Sequence, residues 1–267
     1  MRETFNYPHA PIVWPSIPKD YTGNSNLGIY AVETTQRYLP GTKYIHWDGR
    51  EYRYCKSASA ISTAEACYFA GTGKVGYIAE AGTIAIGATQ ILVPATTHDT
   101  IAEDELAGGY LFCFGSDADN DNSMFRGIVS NEASAEDANI LIRLDAPTDK
   151  ELDSDNAYEI WENPYTNMIH DSGAYMAKLG PAAAKVPATG YYFWCQYQGP
   201  CFQNPQSGVL TGASGYQTGA FWRSDGSLQD ADTALATTVA QYTTSQYAGY
   251  VMMGSYDGNG PLFYLQG

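Results

Sequence analysis

The chain is poor in charge and poorer still in cations. Only 16% of its 267 residues are charged, with 14 Lys+Arg against 29 Asp+Glu, where an ordinary globular domain runs near ~25%. So few cations exclude binding nucleic acid over a broad face, which needs clustered Lys and Arg to displace counterions. No apolar run approaches the ~18 residues of a membrane span. The opening Met1-Arg2-Glu3-Thr4-Phe5-Asn6-Tyr7-Pro8 lacks the unbroken apolar stretch of a signal peptide. Cysteines are few and odd in number (Cys55, Cys67, Cys113, Cys195 and Cys201), with no C-x-x-C pair to suggest zinc or redox chemistry. Cys195 and Cys201 bracket Gly199-Pro200; if that dipeptide is a turn, the two either form a disulfide or are small buried hydrophobes. N-x-[ST] sequons are missing as well. The expectation is a soluble, acidic protein made in the cytosol, with neither nucleic acid nor membrane as a partner.

What the chain has is aromatic side chains: 22 Tyr, 9 Phe and 5 Trp within an apolar content of 44%. That composition excludes disorder for the bulk of the chain, and the patterns are those of strands. Tyr44-Ile45-His46-Trp47, then Asp48-Gly49, then Arg50 to Tyr54 predicts a hairpin with a type I′ turn. Val75 to Ile78, Thr83 to Ile86 and Gln90 to Val93 are short β-branched runs separated by glycines. Gly109 to Phe114 and Asn139 to Leu144 read as buried strands. Tyr191 to Tyr197 reads as another, stopped by Gly199-Pro200, and Tyr250 to Met253 and Pro261 to Leu265 close the chain around a turn at Asp257 to Gly260. Helical signals are confined to Ser62-x-x-Glu65, Thr100 to Leu106 and Ala231 to Ala240, and none has a clear stripe.

Residues 1–30 differ. Pro8, Pro11, Pro15 and Pro18 exclude helix and central strand, while Phe5, Ile12, Val13, Trp14 and Ile17 are too apolar for a free linker. An extended arm lying across another surface, its own chain's or a neighbour's, fits both facts. Its expected contact residues are Phe5, Tyr7, Pro8, Pro11, Val13, Trp14, Pro15 and Ile17. The fold expected is therefore all-β, a short-stranded sandwich or barrel with an extended Pro-rich N-terminal arm and little helix. The expected division is an arm (1–30), a β-rich domain with an acidic face (31–165) and a Tyr-rich β domain (166–267), the last two either separate or one continuous body.

The acidic charge is concentrated. Between Asp99 and Glu162 stand 17 acidic residues and three basic ones, worth −14 of the chain's −15. The simplest reading is a solvated face that maintains solubility.

Motifs for chemistry are weak. His46, His98 and His170 each lie near a carboxylate (Asp48, Asp99 and Asp171), as an oriented imidazole base requires, but adjacent residues on a strand point to opposite faces. Gly71-Thr72-Gly73-Lys74-Val75-Gly76 has dinucleotide-loop spacing without the strand and helix that should flank it. Asp117-Ala118-Asp119-Asn120-Asp121-Asn122 begins as a calcium loop does, yet Asn122 stands where Gly is needed and Ile128 where a bidentate Glu is needed. No metal, cofactor or catalytic residue is assigned. With 29 acids, carboxylate pairs about 5–10 Å apart, as in a glycoside hydrolase, stay open.

Several stretches resemble a group of tailed-bacteriophage virion structural proteins, particularly capsid decoration (cement) proteins. They are the Gly41-Thr42-Lys43-Tyr44 to Tyr54 hairpin, Ile101 to Gly109 with Tyr110-Leu111-Phe112, and Phe125 to Asn131. Arg143-Leu144-Asp145-Ala146-Pro147, Tyr158 to Tyr165 and Gly190 to Pro200 continue the likeness, which touches about half of the chain. The resemblance implies a β-rich body without catalysis or cofactor. It also implies binding to the major capsid protein on the outer lattice of the virion, as a homo-oligomer with a trimer favoured. The alternative reading, from Tyr and Trp density, is a carbohydrate-binding or receptor-binding adhesin module. It requires a solvent-open aromatic platform and is weakened if Trp161, Trp194 and Trp222 are buried.

Overall fold

The computed structural model describes residues 28–63, 65–71, 73–80, 82–115, 123–170, 176–205, 219–230, 246–254 and 260–267, with the strand Ile12–Val13. Among these residues there is no α-helix; strands carry the fold, with one 3-10 turn at Pro164–Thr166. The protein is all-β. In chain order the strands are β1 (Ile12–Val13), β2 (Lys43–Ile45), β3 (Glu51–Lys56), β4 (Ala66–Phe69), β5 (Gly73–Ala79) and β6 (Gln90–Val93). There follow β7 (Tyr110–Gly115), β8 (Met124–Asn131), β9 (Ile140–Leu144), β10 (Asn156–Trp161), β11 (Met168–Ile169) and β12 (Lys178–Pro181). The last five are β13 (Tyr192–Phe202), β14 (Gly219–Trp222), β15 (Leu228–Asp230), β16 (Tyr247–Met253) and β17 (Leu262–Leu265).

The chain forms two compact units, and one is inserted in the other. Residues 71–164 belong to the first; residues 8–70 and 165–267 belong to the second. This differs from the linear division drawn from the sequence, in which 31–70 sat with the acidic half. The reason is strand pairing: β3 lies along β13, with Tyr54 opposite Trp194 and Cys55 opposite Phe193. The arm boundary also moves, since Ile29 is already buried against Tyr44, Tyr52 and Trp194.

The inserted unit is a six-stranded sheet in the order β5-β10-β7-β8-β9-β6. Alternation sends Leu111, Cys113, Ile140, Ile142, Tyr158 and Ile160 into one buried core. Within it the Tyr158 hydroxyl donates to the buried Glu80 carboxylate at 2.5 Å, so neither polar group is orphaned. Thr83 to Ile86, expected as a strand, makes only the isolated bridge Ile84–Leu152, and Thr100 to Leu106 enters turns rather than a helix. Those turns are clasped by the buried Asn131, whose amide oxygen accepts from the Leu106 N–H (2.8 Å) and whose NH₂ donates to the Ala102 carbonyl (2.8 Å).

The second unit holds an eight-stranded sheet, β1-β2-β3-β13-β17-β16-β14-β15, and a three-stranded one, β11-β4-β12. Pairing between its strands is antiparallel except at β1, which joins β2 in parallel with Val13 opposite Ile45. Much of the aromatic wealth is core: Tyr38, Tyr44 and Tyr54 pack their rings on Trp194, 5.1–5.9 Å between centroids.

Two local expectations are corrected. The β2–β3 hairpin forms, but not through a type I′ turn. Gly49 donates to the His46 carbonyl (3.0 Å) and His46 to the Arg50 carbonyl (2.8 Å), and of the loop residues only Gly49 has positive φ (84°). This is a three-residue loop, a type I turn closed by a glycine in the left-handed region. The same Asp-Gly pair serves either turn; here the Asp48 carboxylate bonds the Arg50 N–H at 3.1 Å and holds Asp48 on the negative-φ side. The second correction is at Gly199-Pro200, which does not stop β13. The strand pairs with β3 up to Gln198 and with β17 from Gly199 onward. The β3 ladder shifts register between Gln196 and Gln198, Gly199 follows at φ 96°, and the missing Pro200 N–H costs nothing because β3 has already ended on that side. Cys195 and Cys201 thus stand six residues apart on one strand, about 20 Å by strand rise, too far for a disulfide. All five cysteines are free and buried. Burial pushes the Cys113 and Cys201 thiols up to about 12, away from the reactive thiolate.

Gly199→Ala is expected to destabilise the protein by about 1–3 kcal/mol, because the added Cβ meets the Arg50 Cα at 3.0 Å at a φ that L-residues avoid. Gly76→Ala, where nothing lies within 4 Å, should stay within about 0.5 kcal/mol of the parent. Denaturation midpoints of the two variants check both.

Candidate interaction surfaces

The histidines do not assemble a catalytic set. His46 Nδ1 lies 2.8 Å from Asp48 Oδ1 at the hairpin loop, with the Arg50 guanidinium on the other carboxylate oxygen (2.7 Å). Burial would push the Asp48 carboxyl up, but the bonds from His46 and Arg50 outweigh it and hold the carboxyl below its ordinary value. His98 is buried, and its two ring nitrogens face the carbonyls of Asp99 (2.6 Å) and Ala138 (2.8 Å), so it ties a loop rather than facing Asp99's carboxylate. His170 pairs with Glu65 instead of its sequence neighbour. Gly73 opens β5, and Lys74, the cation of the would-be phosphate loop, is engaged by Glu105 at 2.8 Å. The segment 117–122 and Asp171 lie outside the described residues. A cavity of about 190 Å³ in the inserted unit is lined by Glu103, Asp104, Glu132 and Arg143. Its three carboxylates are exposed, so no contrast of environment separates an acid from a base among them.

What the sheets do present is aromatic surface. On the six-stranded sheet the face opposite the core carries Tyr110, Phe112 and Phe114 from β7, Phe125 from β8 and Trp161 from β10. Phe112 stands opposite Phe125 on one side and Glu159 on the other, and Tyr110 stands opposite Trp161. The Tyr110 and Phe125 rings stack at 5.1 Å and 18°, and Phe112 meets Phe114 edge-on at 4.4 Å. Phe125 is 51% exposed. Reading Gly109 to Phe114 as a buried strand overlooked this face, although a signal was there: every second residue from Tyr110 to Phe114 is aromatic.

The second face is on the eight-stranded sheet. Phe202 pairs with Leu262, and Leu262 with Met253, so three exposed apolar side chains cross β13, β17 and β16 in one row. The next row sets Tyr264 against Tyr250, stacked at 5.1 Å, and Tyr247 meets the Phe221 ring at 5.5 Å. Segments 199–202, 219–222, 247–253 and 262–265 hold no charged residue. Charge divides as the units do. Residues 71–164 contain 4 basic and 18 acidic residues, a net −14; residues 8–70 with 165–267 contain 9 and 10, a net −1. Ten of the acids of the inserted unit, among them Glu103, Glu132, Asp145 and Asp155, are exposed.

Of the expected arm contacts, Val13 is placed, in β1 beside Ile45. Phe5, Tyr7, Pro8, Pro11, Trp14, Pro15 and Ile17 lie outside the described residues. Trp194 and Trp222 are buried, at 4% and 2% exposure, whereas Trp161 is half-buried on the aromatic face. Comparisons with family models, with curated proteins and with solved structures found no match to this chain.

The hairpin sets an acid response. Glu51, like Asp48, would be raised by burial, but bonds from Lys43 and Tyr197 hold it below its ordinary value. Carboxyls lowered on folding contribute stability that is complete above their unfolded value, ~4, and is lost as pH falls through the folded one. Denaturation midpoints are expected to drop below about pH 4, and Glu51→Gln to flatten part of that drop; an unaltered acid limb in Glu51→Gln would contradict this origin.

Proposed function

We propose that the protein is a non-enzymatic structural protein of a phage virion, a decoration protein that binds the outer capsid lattice and stabilises it. Its partner in this reading is the major capsid protein, its state a homo-oligomer (a trimer by the resemblance), and its location the outer surface of the head. The observation that carries the reading is the uncharged row of Phe202, Leu262 and Met253 with the Tyr250–Tyr264 stack beside it. Contiguous exposed apolar surface of this kind marks interaction sites, and aromatic and Met side chains are the ones enriched at the centre of protein interfaces. Support comes also from where the resembling stretches fall: on β2–β3, β7, β8, β10 and β13, interior strands of the two larger sheets. The placement of β1 on the sheet edge beside β2 is the kind of strand addition by which an arm secures a neighbouring element. The carbohydrate-binding alternative draws on the Tyr110–Phe125 stack; the burial of Trp194 and Trp222 counts against it.

Purified chain added to capsids of the encoding virus tests the reading by co-sedimentation. The double variant Met253→Glu, Leu262→Glu should lose affinity by about 30-fold or more, as hot-spot residues do, while its unfolding midpoint stays near the parent's because both side chains are exposed. Unchanged occupancy in the double variant, or failure of the parent to sediment with capsids, would sink the proposal.

A further inference from the structure

The outer face of the six-stranded sheet differs in chemistry from the uncharged face, and the difference names a partner. Glu159 stands opposite Phe112 on β10, in a row that continues to Phe125. Trp161 and Tyr110 form the next row, and the Phe112 and Trp161 rings are 6.3 Å apart. Adjacent strands set such side chains ~5 Å apart, so Glu159 lies beside Phe112, with Trp161 two residues along its own strand, Tyr110 on the diagonal and Phe125 one strand further. Its carboxylate has neither a hydrogen-bond nor an ion-pair partner among the described residues, unlike nearby Glu105, which holds Lys74 at 2.8 Å. It is only partly exposed. The unit around it carries 4 basic and 18 acidic residues.

A half-buried, unpaired carboxylate beside aromatic ring faces is complementary to one kind of group. An arginine or lysine head donates a charge-assisted hydrogen bond to the carboxylate and is attracted to the ring quadrupoles, and the field of a unit at −14 steers cations toward it. Phosphates, nucleic acid and anionic lipid are repelled by the same field. We infer that the aromatic face of the inserted unit, formed by Tyr110, Phe112, Phe125 and Trp161 with Glu159 at its margin, is a docking site for a protein segment that presents arginine or lysine side chains. The site is independent of the capsid reading: it uses other residues, in the other unit.

Titration calorimetry of the full chain with a synthetic blocked peptide of alternating arginine and glycine tests it, with the neutral sugar maltohexaose as second ligand. Glu159→Gln and Phe125→Ala should each weaken peptide binding about fivefold or more. Glu136→Gln, the same charge change at an exposed loop residue of the same unit, should alter it by less than about twofold, as a distant screened charge does. Phe125→Ala alters no charge, and as a 51% exposed residue it leaves folding intact, which unfolding midpoints verify. No peptide binding, equal losses in Glu159→Gln and Glu136→Gln, or Phe125-dependent binding of maltohexaose in place of the peptide would each overturn the inference. Capsid co-sedimentation of the Glu159→Gln and Phe125→Ala proteins separates the two proposals, since occupancy there is expected to match the parent's.

Discussion

The hydrogen-bonding demand of one strand organises the larger unit. β13 runs eleven residues, and every buried N–H and C=O along it needs a partner. Its ladder partners are two strands far apart in sequence, β3 for its first half and β17 for its second, while Glu33 and Ala183 bond the backbone of Tyr192 and Trp194. Gly199 makes the change of partner sterically possible and Pro200 makes it cheap, for a proline is tolerated where one side of the ladder has ended. From that single relay follow the joining of the N-terminal hairpin to the C-terminal meander and the aromatic core around Trp194. The outward placement of Phe202 beside Leu262 follows from it too. It also accounts for the insertion: a chain that must bring residues 43–56 and 192–265 into one sheet carries 71–164 as a separate unit between them.

The two units share an architecture of aromatic strands and differ in what surrounds them. In the inserted unit the exposed acids lie outside the strands, and the Glu159 carboxylate lies at the margin of the aromatic rows. In the larger unit the exposed rows that cross β13, β17 and β16 carry no charge. Aromatic surface contributes contact area at small entropic cost, and the flanking charge decides which partners are accepted. On the proposed readings, one acidic, aromatic protein presents an uncharged surface to one partner and an acidic-rimmed surface to a basic one.

Much of this is legible in the residues. Short β-branched and aromatic runs separated by Gly and Asx clusters identify an all-β chain, and the strands around Val75, Gln90, Gly109, Asn139 and Tyr250 fall where the alternation puts them. The acidic segment 99–162 anticipates a structural unit to within a few residues at its C-terminal end. What the sequence conceals is whatever depends on long-range pairing. Gly199-Pro200 reads as a stop because local chemistry says turn; only the identity of the neighbours on either side makes it a crossing point. Asp48-Gly49 fits two turn types that differ by one residue of register. The outer aromatic faces were hidden for a related reason. Tyr110, Phe112 and Phe114 have the hydrophobicity of a core strand, and only the placement of Leu111 and Cys113 in the core shows that they point the other way.

Backbone amide exchange on the chain bound to capsids tests the central claim most directly, that the uncharged rows of the larger unit form the attachment surface. The account predicts that binding slows exchange in residues 247–253 and 262–265 and leaves the inserted unit's exposed loops as they are in the free chain. Protection confined to residues 71–164, with 247–253 and 262–265 unchanged, would contradict it.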